Sequence, residues 1–232
     1  WFLHAPKSQP SERDNADLAV QDLDADSVAY LTHQIRLKDE KDFVTALFTT
    51  SLWTGASSTT DMTGQANPAS TSSNFRQWND ILSTPIEDMH GESLSVMKRT
   101  GRKPNKLALG IEVYRHLSDH PDILDRIKYT ERGIVTADLL AALFDVDEVI
   151  VGGAVEDTAK EGATASYGFV AGKAALLAHV ATRPGLRTPS AAYQFVWVGR
   201  AGAPRGGAGV RIKRYRLERN ESDRFEAERW RD

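Results

Sequence analysis

The apolar positions along the chain fall into distinct stretches. Residues 1–21 hold Pro6, Pro10 and mixed charge without periodic spacing, and read as an extended arm. From residue 23 to 53, "LDADSVAYLTHQIRLKDEKDFVTALFTTSLW", Val28, Leu31 and Ile35 recur at helical spacing, followed by Phe43, Val44, Leu47 and Phe48. Asp24 or Asp26 is placed to cap this segment, where free N–H groups need acceptors. The pattern predicts a helix over about 26–53, roughly 40 Å long at 1.5 Å per residue. The polar run "RLKDEKD" interrupts its apolar face, so the helix should lie across a surface rather than through a core. Residues 54–74 are rich in Ser, Thr, Gly and Ala and predict a long loop with no core of its own.

Beyond residue 74 short elements follow closely. Ser83 or Thr84 is placed as an N-cap with Pro85 at the first helical position; Ile86, Met89 and Met97 form a face, and Gly101 stops the helix. "KLALG" (106–110) reads as a strand and "IEVYRHLSDH" as a helix ended by Pro121, with Asp122 capping "DILDRIKY". "TADLLAALFD" reads as a helix capped by Thr136, and "DEVIVGGAV" as a buried strand. "FVAGKAALLAHV" reads as a hairpin turning near Gly172, "AAYQFVWVG" as a strand, and "GVRIKRYRLERN" as a charged alternating strand with a phase break near Arg214. No fixed-period repeat is visible. Mixed helices and strands with a late hairpin predict an α+β fold rather than a doubly wound α/β sheet.

Composition narrows the chemistry more than the fold. The 232 residues suffice for one large domain or two small ones, and 41% hydrophobic with 26% charged residues is ordinary for a globular chain. A net charge of −3 gives no overall push toward nucleic acid or membrane. The absence of cysteine excludes disulfides, thiolate metal sites and a cysteine nucleophile, and fits a reducing compartment. No apolar run approaches the ~20 residues that span a bilayer. Trp1 follows no signal-peptide pattern, and a segment of a longer chain is expected.

Candidate chemistry is thin. His116 and His120 stand four apart, the spacing at which two imidazoles grip one metal in the H-E-x-x-H enzymes. Leu117 replaces the glutamate, however, and Pro121 breaks the helix that would hold the pair, so helix-end histidines interacting with the dipole are expected instead. A metal-dependent enzyme using His116, His120 and a nearby aspartate is the alternative from a different class. Asp22, Asp24 and Asp26 open like a calcium loop but lack the glycine and glutamate it needs, at Ser27 and His33. "GFVAGKA" has its glycines one residue too close for a phosphate loop, and "VGGAV" has no third glycine for a dinucleotide. No G-x-S-x-G elbow exists. Arg205, Arg211, Lys213, Arg214, Arg216 and Arg219 around Tyr215 could track a phosphate backbone, but Glu218, Glu221 and Asp223 follow, and an edge strand kept soluble by charge is the simpler reading. No catalytic, cofactor-binding or metal residue is assigned, and no cofactor is expected.

The order of blocks in the second half carries a resemblance. "GRKPNKLALGIEVYRHLSDHPDILDRIKYTERGIVTADLLAALFDVDEVIVGGAVEDTA", then "GKAALLAHV", "RPGLRTPSAAYQFVW" and "GVRIKRYRLE", resembles the major capsid proteins of tailed bacteriophages with the HK97 fold. "LDADSVAYLTHQIRLKDEKDFVTALFTTSLW" looks like the spine helix of that family. The resemblance implies an arm over 1–21, a peripheral-domain spine and long loop over 22–74, an axial domain over 75–195 and a return strand of the peripheral domain over 196–232. It implies a structural protein, not an enzyme, whose copies form hexamers and pentamers that tile an icosahedral shell around double-stranded DNA. The implied location is the virion, after assembly in the bacterial host cytoplasm and with no membrane involved; portal, scaffold or decoration proteins are further implied partners. Two departures stand out: the family's N-terminal arm and extended β-hairpin loop have no counterpart ahead of Trp1, and the chain stops at "AERWRD" where the family continues into a last strand. No crosslinking residue is assigned. Encapsulin compartments, with the same fold, are the runner-up within the structural class.

Overall fold

The computed structural model describes residues 2–4, 23–49, 52–53, 63–66, 75–128, 134–185, 187–195, 210–220 and 222–229. The class is α+β, as the mixed pattern predicts. The chain divides into two compact units, Trp1–Asp39 with Tyr193–Asp232, and Glu40–Ala192.

The first unit is built on a three-stranded antiparallel sheet. Strand β1 (Phe2–His4) pairs with β10 (Ser222–Arg229), which pairs with β9 (Val210–Leu217) through a turn of 3₁₀ helix, Glu218–Asn220. Three expectations are corrected here. Phe2–His4 is strand rather than irregular arm, while residues 5–21 lie outside the described residues. The β9–β10 register runs unbroken from Val210↔Arg229 to Leu217↔Ser222, so there is no phase break at Arg214. The strand β10 itself was not expected at all. Its Phe225 and Ala227 are buried against Leu31, Ile35 and Val28 of helix α1 (Leu23–Leu47). This helix begins three residues earlier than expected and ends six earlier, so Asp24 and Asp26 occupy its first turn, where their charge suits the positive end of the dipole, rather than cap it. Its residues up to Asp39 belong to the first unit and the remainder to the second.

In the second unit, helix α2 (Pro85–Thr100) is delimited as its sequence requires. Pro85 opens it, Glu87 and Asp88 lie in the first turn, and Lys98 and Arg99 lie in the last. Thr84 is the N-cap but makes no side-chain cap bond, and Gly101 ends the helix in the left-handed region at φ 67°. Strand β4 (Lys106–Gly110) runs straight into α3 (Ile111–Ser118), followed by α4 (Pro121–Ile127), α5 (Ala137–Leu143) and β5 (Glu148–Gly152). Thr136 caps α5, its hydroxyl accepting from the Leu139 N–H at 3.3 Å. Strand β4 is central, parallel to β5 and antiparallel to β8 (Ala175–Ala178). Leu107 and Leu109 of β4 are buried with Ile86, Leu117, Ile123, Leu140 and Phe144, and this cluster is the core of the unit. Two short pairings complete the unit: β2 (Gly64–Gln65) runs parallel to β3 (Phe75–Arg76), and β6 (Val155–Asp157) antiparallel to β7 (Tyr167–Phe169).

The expected hairpin across Gly172 is replaced by a turn between two sheets, because β7 pairs with β6 while β8 pairs with β4. Gly172 does turn the chain, at φ 50°, and a Cβ on Gly110 would lie 1.9 Å from its carbonyl oxygen. This close approach binds the end of β4 to the turn. Strand β5 is buried on one face only: Val149 is covered while Ile150 is 48% exposed. "AAYQF" is not a strand, and the rest of that expected strand, residues 196–199, lies outside the described residues. The predicted loop 54–74 is described only at 63–66, where it contributes β2.

Candidate functional site

The two histidines do not share a helix. His116 lies in the last turn of α3, while His120 sits beyond the break and N-caps α4. The imidazole of His120, not Asp122, is the cap: its Nδ1 accepts from the Asp122 N–H at 3.2 Å. Accepting there leaves the ring proton on Nε2, which faces the Ser83 hydroxyl at 2.9 Å and the Asp80 carbonyl at 3.1 Å. The Ser83 hydroxyl itself donates to the Asp80 carbonyl at 2.7 Å. Both ring nitrogens of this nearly fully buried histidine are therefore spent on tying the loop before α2 to the α3–α4 corner. Among the described residues no three histidine, aspartate or glutamate side chains are placed to share a metal ion.

The carboxylates of this unit differ by environment. Burial pushes the Asp88 carboxyl above its ordinary value, although the Trp78 indole donates to it at 3.0 Å; burial also raises Glu92. Asp80 is held below its ordinary value by the Leu82 N–H and by Arg76. Asp157 is lowered by the backbone N–H groups of Ala159 and Ser166, each 2.9 Å away, and is thereby a turn-closing acceptor. No pair of opposed carboxyls over a cleft emerges from this set.

The basic strand is the second candidate, and two of its cations, Lys213 and Arg214, are matched by carboxylates within the same unit. Arg214 donates to the nearly buried Asp223 at 2.8 Å and pairs with Asp24 at 2.6 Å, which raises its already high pKa. Lys213 pairs with the buried Glu228, and Arg229 with Asp39. Arg214 and Arg224 also lie over the rings of Phe225 and Tyr215 at 5.5 and 5.8 Å. In the sheet order β1–β10–β9, strand β9 is an edge. The geometry matches a charged edge strand rather than an open phosphate track. Arg205 and Asp22 lie outside the described residues. "GFVAGKA" runs from β7 through the Gly172 turn toward β8, with no helix to receive a phosphate.

A third feature had no signal in the sequence. An open concavity of about 560 Å³ lies beside α3, α4 and residues 134–135. Ile111, Tyr114 and Val135 line it, and the Tyr114 hydroxyl donates to the Val135 carbonyl at 3.3 Å. Leu124 and Ile134 are exposed beside Arg115 and Asp119. Arg115, Asp119, Ser118 and apolar side chains line it, and the Ser118 hydroxyl donates to the Arg115 carbonyl at 2.8 Å rather than to a base.

This fold is shared with a phage-related protein from Bordetella bronchiseptica RB50, whose crystal structure aligns with a TM-score of 0.73 over 98% of this chain and 68% of that one, at 24% identity. The chain thus has the α+β architecture of a phage-related protein. A more specific likeness lies in sequence: the chain is 34% identical over 86 residues to the major capsid protein of Burkholderia phage BcepMu. That match takes in 37% of this chain and spans 28% of the capsid protein's length. No protein-family model matches the chain. No helix among the described residues is long and apolar enough to cross a membrane.

Proposed function

We propose that the chain is the structural subunit of a tailed-phage capsid of the HK97 type, and not an enzyme. The observation that carries this reading is the 34% identity to a phage major capsid protein over 86 residues. The fold likeness to a phage-related protein across nearly the whole chain supports it. In this reading residues 75–195 form the axial domain, and 22–74 with 196–232 form the peripheral domain. The clustering of Tyr193–Asp232 with Trp1–Asp39 supports a peripheral part assembled from both ends of the chain, although residues 40–74 cluster with the other unit. Copies associate into hexamers and pentamers that close into an icosahedral shell around double-stranded DNA, and the protein resides in the virion after assembly in the host cytoplasm.

A physical consideration agrees. Ile81, Leu82, Ile134 and Tyr167 are each more than 70% exposed in the single chain, and a shell subunit can bury such side chains between copies. The test is sedimentation velocity of the purified protein across a concentration series. A shell subunit sediments as capsomers or larger particles without added metal or substrate. A species that stays monomeric at every concentration refutes the reading.

A further inference from the structure

The second unit carries its charge unevenly. Between Glu92 and Glu112 the chain has no aspartate or glutamate, and none stands from Gly162 to Leu217. The fold brings parts of these two stretches together at one end of the central sheet, where β4 begins and β8 ends. Asn105 is the clasp. Its backbone N–H donates to the Ala178 carbonyl at 3.0 Å, its side-chain amide donates to the Val180 carbonyl at 3.0 Å, and its side-chain oxygen accepts from the Val180 N–H at 2.7 Å. The His179 ring meets the Lys103 carbonyl at 2.8 Å, and the Ala191 N–H donates to the His179 carbonyl at 2.8 Å, which closes residues 179–191 into a loop. The loop after α2 and the loop after β8 are thus held side by side. They and the last turn of α2 present Lys98, Arg102, Arg183 and Arg187, all exposed and none with an ion-pair partner among the described residues. Lys103 and Lys106 of the same region are matched by Asp145 and Glu148. Asp147, whose N–H donates to the Asn105 carbonyl at 2.9 Å, is exposed and has no ion-pair partner among the described residues.

We propose that this end of the sheet binds the phosphate backbone of a nucleic-acid duplex, and is the face a shell subunit turns toward packaged double-stranded DNA. Four open cations against the Asp147 carboxylate make a locally positive face on a chain whose net charge is −3. Exposed lysine and arginine on loops neutralise phosphates without reading bases. Neither loop holds Phe, Tyr or Trp, so no platform exists on which unpaired bases stack, and a duplex suits the face better than a single strand. A protein partner would need apolar anchors, and Val180 is the single large exposed apolar side chain among the described residues of the two loops. The inference rests on the shell-subunit reading for the identity of the duplex, and adds to it the surface that meets the DNA.

The test is fluorescence anisotropy of a labelled duplex of about 30 base pairs, titrated with unassembled full-length subunits over a salt series. Four phosphate contacts predict a slope of log affinity on log salt of about −3.6, roughly a hundredfold loss from about 50 to about 200 mM salt. Arg183→Gln/Arg187→Gln should reduce that slope by about two and the affinity at least ~tenfold. Arg115→Gln/Lys160→Gln removes the same charge from exposed positions elsewhere in the unit and should stay within about twofold of the original. Asp147→Asn should tighten binding about threefold. Circular dichroism monitors folding, and all five positions are exposed. Equal losses in the two double variants, or a slope unchanged by Arg183→Gln/Arg187→Gln, overturn the proposal. So does displacement of the duplex by polyglutamate at equal charge concentration, which would mark an acidic protein partner instead. Sedimentation velocity on the same preparations keeps the two readings apart. A chain that assembles but does not bind the duplex refutes this face alone; a chain that binds through these arginines yet never assembles refutes the shell reading alone.

Discussion

Truncating His120 tests whether the α3–α4 corner is the structural joint described above. His120→Ala removes three things at once. The Asp122 N–H loses its cap, at about 1 kcal/mol. The Nε2–H shared by the Ser83 hydroxyl and the Asp80 carbonyl is lost, worth about 1 kcal/mol more. The emptied space lies in a site only 3% exposed, and a cavity of this size adds on the order of 1 kcal/mol. The sum is about 3 kcal/mol. With a urea slope of about 2 kcal/mol/M, the midpoint falls by roughly 1.5 M. His120→Asn is the informative companion, since asparagine caps a helix well but cannot span the distance to Ser83; it should recover about 1 kcal/mol of the loss. The assay is urea unfolding of unassembled subunits by far-ultraviolet circular dichroism, with amide exchange at Asp122 as a local probe. A loss below about 0.5 kcal/mol for alanine, or identical curves for alanine and asparagine, would refute the capping argument.

Three further outcomes follow from the same geometry. Gly110→Ala puts a Cβ 1.9 Å from the Gly172 carbonyl and should cost at least ~3 kcal/mol in a thermal melt, whereas a mild effect would mean the turn yields freely. Because burial raises Asp88 in the folded chain, its protonated form is the favoured one. Its contribution is complete below the unfolded value and is lost as pH rises through the raised folded value. Asp88→Asn, which keeps an acceptor for Trp78, should therefore gain stability relative to the original as pH rises from about 3 to 7; parallel profiles would contradict this. Arg214→Ala removes the 2.8 Å charged hydrogen bond to Asp223, whose side chain is 6% exposed, and should cost about 2 kcal/mol and speed amide exchange across β9 and β10. Unchanged exchange there would show that Asp223 does not depend on Arg214.

What could be read from sequence was what local chemistry decides. Pro85, Gly101 and Thr136 delimit helices through their own backbone geometry or hydroxyl, and each stands at the boundary it marked. The helix break at His120–Pro121 was legible for the same reason, but the cap was misassigned. Histidine is not a favoured cap, and the partner that fixes its ring, Ser83, lies 37 residues away. The false hairpin arose because Gly172 announces a turn without announcing what each arm pairs with; β8 finds β4 about seventy residues back. Strand β10 was hidden by its charges. Asp223, on the same face as Phe225 and Ala227, and Glu228, on the opposite face, are both buried and paired with Arg214 and Lys213 of the next strand, so the apolar alternation that marks a half-buried strand is reduced to Phe225 and Ala227. The concavity around Arg115, Leu124 and Ile134 carries no local pattern at all, since only the fold brings those residues together.

Electron micrographs of particles isolated from cells producing the protein test the central claim most directly. The account predicts closed shells of uniform diameter, or rings of five and six subunits where closure is incomplete. A uniform field of small monomers, with no rings or shells at any concentration, would contradict it.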